Sequence, residues 1–301
     1  MARGAPFLAL IVGATAIAFA GIFVRLAETG PIASAFWRMF LALPILTAIL
    51  AWPRFRTLNT LSDSISSVSL HQAKRAAYWA GVWFAIDLIL FHYAAVNTLV
   101  AAATLESNLA PIFVALGLWY LTGAAPRPLT WFGMLFALIG AVCIALPNLL
   151  KPAAASQQWL GDLAGLTSAV FYALYILALQ RARQQLPTLR AMCLCGLSAA
   201  AVLFPAAIFA YFYWQQPLWP ITVTGWGVVI GLALISQLSG QVVIAYAFAH
   251  LPATFSSITL LLQPVLTAVF AWLILAQQLS GIQIVGAGLV LTGIYIAKRA
   301  L

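Results

Sequence analysis

Residues 93–140 read YAAVNTLVAAATLESNLAPIFVALGLWYLTGAAPRPLTWFGMLFALIG, and residues 246–293 read YAFAHLPATFSSITLLLQPVLTAVFAWLILAQQLSGIQIVGAGLVLTG. The second stretch repeats the first at a constant offset of 153, without a gap. Matches of Ala and Leu are expected by chance in an apolar chain, so the rarer residue types carry the evidence. They pair as Tyr93 with Tyr246, Pro111 with Pro264, Trp119 with Trp272, Gly133 with Gly286 and Gly140 with Gly293. The chain therefore contains an internal duplication.

The composition is that of a protein that lies in a membrane. Hydrophobic residues make up 64% of the chain and charged residues 6%, against about 45–50% and about 25% in soluble domains. A soluble domain this apolar would lack the polar residues to cover its surface. The net charge of +9 comes mostly from residues between apolar runs, which indicates orientation in the membrane rather than a nucleic-acid partner.

Ten apolar runs are each long enough to cross about 30 Å of hydrocarbon as a helix. The first run follows Arg3 and contains Ala18-Phe19-Ala20, a pattern that also fits a cleavable signal peptide. Its continuation to Val24 and the second run directly after it favour a retained helix. The runs are residues 6–27, 31–52, 76–96, 99–121, 129–147, 160–180, 189–213, 222–249, 252–275 and 280–297.

Lys and Arg residues in the short connecting segments predict how the chain is oriented. If the N-terminus is cytoplasmic, eleven of these residues fall on the cytoplasmic side, and only Lys151 falls in a connection on the other side. We therefore expect a multi-pass protein of the cell (inner) membrane, with both termini in the cytoplasm.

Five apolar runs fall in each half of the chain, so residues 1–148 and residues 160–299 each form one five-helix repeat. Because five is odd, the second repeat must enter the membrane from the opposite side. The sequence thus predicts an all-α membrane protein of ten transmembrane helices, arranged as two inverted five-helix repeats. Inverted repeats are typical of secondary transporters, which bind their substrate near the midplane, between the halves.

The duplicated stretch also resembles a known family. It is similar to the EamA domain, which occurs twice in ten-helix members of the drug/metabolite transporter (DMT) superfamily. The matching features are Ala110-Pro111, Gln263-Pro264 and the glycine pairs Gly133/Gly140 and Gly286/Gly293. The resemblance covers nearly the whole chain. It implies a carrier that moves small metabolites, often outward, through a cavity between the repeats. The aromatic residues described below resemble those of a YddG-type amino-acid exporter.

Acidic positions of that family are not kept in this chain. Members often carry Glu before the Pro of helix nine, and a Gly-Glu pair at the end of helices four and nine. This chain has Gln263, Gly123-Ala124 and Ala276-Gln277 at those places. A role for those acids in proton coupling is therefore in doubt here.

Two ionisable residues lie at matching depth in the first half. Ionisable groups inside a membrane are costly, and each is therefore a functional candidate. Arg38 and Glu106 both lie seven residues from the outer end of their runs, roughly 10 Å deep at about 1.5 Å per residue. We expect them to form an intramembrane charge pair, with either a structural role or a role in substrate binding or gating.

Asp87 falls near the middle of helix three, beside large aromatic side chains. Trp79, Trp83 and Asp87 recur at intervals of four residues, and Tyr78 lies next to them. A midplane carboxylate flanked by aromatic rings suits the ammonium group and apolar side chain of an amino acid. The alternative for the aromatic residues is a membrane-interface belt or packing. We predict a substrate-binding site at Tyr78, Trp79, Trp83 and Asp87.

The second half contributes uncharged polar groups at a similar depth. Tyr175, Gln241 and Gln263 are candidates for lining the cavity, with hydrogen bonding to a neighbouring helix as the alternative. Pro111 and Pro264 interrupt helices four and nine in mid-membrane. We expect them to act as hinges during alternating access, or as fixed kinks.

These residues favour a secondary transporter that exports amino acids, neutral and aromatic ones above all, or similar small metabolites by alternating access. The alternatives on the same fold are a lipid or lipid-linked flippase and a drug efflux carrier. The sequence lacks a Walker-type phosphate loop and the clustered His, Asp or Cys residues of a membrane enzyme. It therefore predicts no catalytic residues, no metal site and no cofactor. The expected partners are a small-molecule substrate and the lipid bilayer, with no nucleic acid and no obligatory protein partner.

Overall fold

The computed structural model describes residues 4–53, 67–98, 100–149, 158–275 and 279–300. Within these ranges, ten helices are long and apolar enough to cross a membrane, as the sequence predicts. They are α1 (Gly4–Leu26), α2 (Pro31–Ala51), α3 (Ser67–Asn97), α4 (Val100–Ser107 and Ala110–Thr122), α5 (Pro128–Leu149), α6 (Gln158–Arg183), α7 (Thr188–Tyr213), α8 (Val223–Ala247), α9 (Ala253–Leu260 and Leu262–Leu275) and α10 (Gly281–Arg299).

Two differences from the sequence predictions concern the ends and the connections. Helix α3 begins at Ser67, before the predicted start at residue 76, because the polar residues at its N-terminus continue the helix beyond the apolar run. Four of the basic residues that predict orientation, Arg3, Arg54, Arg56 and Lys151, lie outside the described residues. We call the end of the bundle at which α1 begins the proximal end, and the end at which α1, α3 and α5 finish the distal end.

The two halves pack as an inverted pair. Helix α5 packs against α10, and α2 packs against α7. The contact between α3 and α6 has its counterpart in the contact between α8 and α1, and α3–α7 has its counterpart in α8–α2. Exchanging each helix with the one five places along the chain thus leaves the packing pattern unchanged. Since each half holds five helices, the halves cross the membrane in opposite senses and bury most of their contacts against each other.

The duplicated glycines explain why α5 and α10 approach closely. A methyl group at Gly140 would lie 2.5 Å from the carbonyl oxygen of Gly286, and one at Gly293 would lie 2.5 Å from the carbonyl oxygen of Gly133. Only residues without a side chain allow two helix backbones to pack this tightly. The glycines that the repeat shares are therefore residues of the contact between the halves.

The duplicated prolines coincide with breaks in α4 and α9. Helix α4 is interrupted between Ser107 and Ala110, where the Leu109 and Ile112 N–H groups donate to carbonyls three residues back. The matching break in α9 falls at Leu261, just before Gln263-Pro264. Proline removes a backbone donor and crowds the preceding turn, so each helix restarts at its proline. Both breaks face the centre of the bundle.

At the distal end, the α1–α2 connection is fastened to the start of α8. The Glu28 carboxylate accepts hydrogen bonds from the backbone N–H groups of Ile221 and Thr222, each at 2.9 Å, and from the Thr222 hydroxyl. The Gly30 N–H donates to the Pro217 carbonyl at 2.8 Å. These donors, the Thr222 hydroxyl foremost, hold the pKa of Glu28 below its ordinary value.

Candidate functional site

A cavity of about 900 Å³ lies between the two halves. Its deepest wall is formed by Tyr172 and Ile176 of α6 and by Gln241 of α8, and it extends to Arg25 and Ser280 at the distal end. Both broken helices contribute to it. The cavity thus lies where two inverted repeats are expected to bind a substrate.

The floor of the cavity is held by stacked rings and an amide. The hydroxyl of Tyr175, which is fully buried, donates to Gln241 Oε1 at 3.0 Å. Its ring stacks on Phe84, with 4.4 Å between the centroids, and on Tyr172, with 5.6 Å. These interactions fix the rings that separate the cavity from the proximal part of the bundle.

Arg38 enters the cavity wall from α2. Its side chain is only 3% exposed. Nε donates to Gln237 Oε1 at 3.2 Å, and the guanidinium carbon lies 5.6 Å from the centroid of the Phe84 ring. Gln237 belongs to a π-helical segment of α8, Leu232–Gln241, a conformation that is rare and frequent at functional sites. Within the described residues, no carboxylate makes a direct ion pair with this cation.

Asp87 enters the same cavity from α3, on the other side of the first half. It is 4% exposed, and its Oδ1 accepts a hydrogen bond of 2.5 Å from the Ser168 hydroxyl of α6. Arg38 and Asp87 attract each other electrostatically without touching. The cavity therefore has a buried cation and a buried carboxylate in its wall, each held in place by neutral partners.

Amides and hydroxyls line the region near the two helix breaks. Gln263 and Pro264 of α9 face the cavity, as do Asn108 and Pro111 of α4. The Nδ2 atom of Asn108 is buried and has no hydrogen-bond partner among the described residues. Backbone interrupted at membrane depth is tolerated where it lines a cavity of this kind.

The EamA-like transporter family matches the chain twice, over residues 5–146 and 159–298. The chain belongs to this family. It is therefore a multi-pass membrane protein and a small-molecule transporter, and the two matches correspond to the two inverted halves of the bundle. The cavity between the EamA repeats is the place to look for the substrate.

Two relatives and one solved structure resemble the chain. The pseudopaline exporter CntI of Pseudomonas aeruginosa is 27% identical over 220 residues, which cover 73% of each chain. An uncharacterized transporter of Archaeoglobus fulgidus is 24% identical over 295 residues, 95% of this chain and 96% of the other. A crystal structure at 18% identity covers 99% of both chains with a TM-score of 0.74, which shows a shared fold.

The EamA bundle does not bring Arg38 and Glu106 together, although the sequence predicts that they pair. Arg38 contacts α3 and α8, whereas the Glu106 side chain packs against Gly165 of α6. The charged group nearest to Glu106 is Asp162, a carboxylate, and Glu106 Oε2 is buried without a hydrogen-bond partner. Matching depth along two helices leaves open the direction in which each side chain points, and here the directions differ.

The predicted aromatic stripe of α3 divides between two environments. Asp87 and Phe91 line the cavity, but Tyr78 and Trp79 are 41% and 45% exposed and lie beside a separate surface groove. Trp83 stacks on Trp79, with 5.2 Å between the centroids, outside the cavity. An interval of four residues advances about 40° around a helix, so three intervals turn the stripe away by about 120°. A substrate contact with Tyr78, Trp79 or Trp83 stays a prediction without geometric support in this conformation.

Of the second-half residues predicted from the sequence, Gln241 and Gln263 line the cavity, and Tyr175 lies directly beneath it. Sequence reasoning missed Ser168, which fixes Asp87, and Asn108 in the break of α4. The signal for both was present: each is a polar residue in an apolar helix of an EamA repeat, and polar residues there are usually paired or functional.

Proposed function

We propose that this chain is a secondary carrier that exports amino acids, neutral and aromatic ones above all, or similar small metabolites by alternating access through the central cavity. The cavity is the observation that carries the proposal. At about 900 Å³, it lies in the ordinary range of about 300–1,000 Å³ for small-molecule sites, and it mixes apolar walls with a few polar groups.

The distribution of basic residues supports the direction of transport. If the proximal end is cytoplasmic, as Lys and Arg in the connections predict, the cavity extends toward the outside of the cell. The conformation then corresponds to the stage at which an exporter releases its substrate. The relative CntI is named as an exporter, which favours the same direction here.

Flux in proteoliposomes tests the proposal. The purified carrier is reconstituted, and counterflow of radiolabelled Thr, Met, Phe and Trp is measured against protein-free vesicles. We expect saturable flux of at least one of these amino acids. Lipid scrambling without amino-acid flux would replace the carrier with a flippase.

A pair of matched substitutions tests the route. Ala268→Trp fills the cavity from α9, whereas Ala201→Trp places the same side chain on the exposed face of α7. We expect the first variant to lose the flux and the second to retain it. Equal flux through both variants would show that the substrate does not pass through this cavity.

A further inference from the structure

Arg38 and Asp87 are both charged, both at least nine-tenths buried, and both in the wall of one cavity. Removing an ion from water is costly unless partners replace the lost hydration. The protein replaces only part of it: Gln237 takes one donor of the guanidinium, and Ser168 serves one oxygen of the carboxylate.

The remaining polar atoms of the two residues are left for something in the cavity. Among the described residues, the terminal nitrogens of Arg38 and the Oδ2 atom of Asp87 have no hydrogen-bond partner, and none of these atoms is sealed inside protein. The two side chains also do not satisfy each other by direct contact. A cation and an anion are thus presented side by side on the same wall, each with unused hydrogen-bonding capacity.

An α-amino acid carries the complementary pair of charges. A guanidinium binds a carboxylate through two parallel hydrogen bonds, which makes Arg the preferred partner for that group. A carboxylate such as Asp87 accepts from an ammonium group. In a zwitterion, the carboxylate and the ammonium are joined by one carbon, so a single small ligand is suited to reach both residues.

We propose that Arg38 binds the carboxylate and Asp87 the ammonium group of a zwitterionic α-amino acid. This inference rests on the proposed transport function and specifies which chemical class the same cavity accepts. The substrate side chain then contacts the apolar wall formed by Ile17, Leu88 and Leu260. A cationic drug leaves Arg38 without an anion, and a lipid phosphate leaves Asp87 without a cation. A site built for both charges discriminates against ligands that lack one of them.

Three ligands of the same shape separate the two contacts: L-phenylalanine, L-phenylalaninamide, which lacks the carboxylate, and 3-phenylpropionate, which lacks the ammonium group. Each is used to inhibit phenylalanine counterflow by the wild-type carrier. We expect both analogues to bind roughly 10–100-fold more weakly than phenylalanine, the effect of losing one hydrogen-bonded charge.

Variants assign each charge to its residue. We expect Arg38→Gln to weaken phenylalanine binding while leaving the amide unaffected, so that the preference between these two ligands collapses. Asp87→Asn should abolish the preference for phenylalanine over 3-phenylpropionate in the same way. Arg38→Lys keeps the charge and retains part of the preference. Arg181→Gln, on an exposed face near the end of α6, serves as a matched control that changes neither preference.

The outcomes separate this inference from the proposed function. If the wild-type carrier transports phenylalanine but binds both analogues equally well, the zwitterion site is refuted and the transport function stands. Proportional weakening of all three ligands in Arg38→Gln and Asp87→Asn shows a structural role and also refutes the inference. If the wild-type carrier moves no amino acid, the proposed function and the inference fail together. The wild-type comparison holds even if a variant does not fold.

Discussion

The contact between α5 and α10 gives the sharpest stability prediction, because a single methyl group tests it. A Cβ atom at Gly140 would lie 2.5 Å from the Gly286 carbonyl oxygen and 2.6 Å from the Val290 nitrogen. Both of these atoms belong to backbone, which cannot rotate away as a side chain does. For Gly140→Ala to reach the 3.4 Å of an ordinary contact, the two helices must separate locally by about 0.9 Å.

Separation of that size loosens the packing on both sides of the contact. Overpacking of a well-packed interior costs about 1–3 kcal/mol, which lowers the ratio of folded to unfolded protein by roughly 5–150-fold. We expect Gly140→Ala to melt at a clearly lower temperature than the wild-type protein. Thermal denaturation in detergent, followed by tryptophan fluorescence and by the fraction that stays monodisperse, measures the change.

Gly288→Ala is the matched control. It lies on α10, one turn or less from Gly286, and a methyl group there meets nothing within 4 Å. We expect it to be neutral or slightly stabilising, since alanine is a better helix former than glycine. The double variant Gly140→Ala/Gly286→Ala should cost less than the sum of its parts, because both methyl groups enter one contact. Equal melting temperatures for Gly140→Ala and Gly288→Ala would refute the close-packing argument.

Two further predictions concern the helix breaks and the distal fastening. Pro111→Ala and Pro264→Ala should each slow counterflow several-fold while leaving the melting temperature nearly unchanged; unaltered rates in both variants would mean that the breaks are not hinges. Glu28→Gln should lower the melting temperature at neutral pH, because an amide cannot accept the same charge-assisted hydrogen bonds at the start of α8. The folded-state pKa of Glu28 is lowered from 4.5, so its contribution is present above 4.5 and is lost as the pH falls through the lowered pKa. The melting temperatures of wild type and variant should therefore converge at acidic pH, and parallel curves would contradict this account.

The sequence predicts the helices and the pseudo-symmetry well, because both depend on information that is local or periodic. Apolar length sets the number of spans, and the offset of 153 between Pro111 and Pro264 places the two breaks at equivalent positions. Asp87 and Gln241 are also found by depth alone, since polar side chains in the middle of a span have few places to lie other than a cavity or a helix contact.

The direction of a side chain around its helix is harder to predict. Arg38 and Glu106 lie at equal depth, but the packing of α2 against α8 directs one toward Gln237, and the packing of α4 against α6 directs the other toward Gly165. Without the identity of neighbouring helices, depth cannot decide between partners. The π-helical segment of α8 adds a local change of rotation that an α-helical pattern does not contain.

The symmetry of the scaffold and the asymmetry of its polar groups have different consequences for transport. Exchange of the conformations of two equivalent halves moves the opening of the cavity from one end of the bundle to the other. The glycine contact is equivalent in the two halves and can persist through that exchange. The carboxylate is not equivalent, because Glu106 corresponds to Thr259 at an offset of 153 and Asp87 corresponds to Ser239 at 152. Only the first half offers an acid to the cavity, so an ammonium group bound there must stay with that half while the second half moves past it.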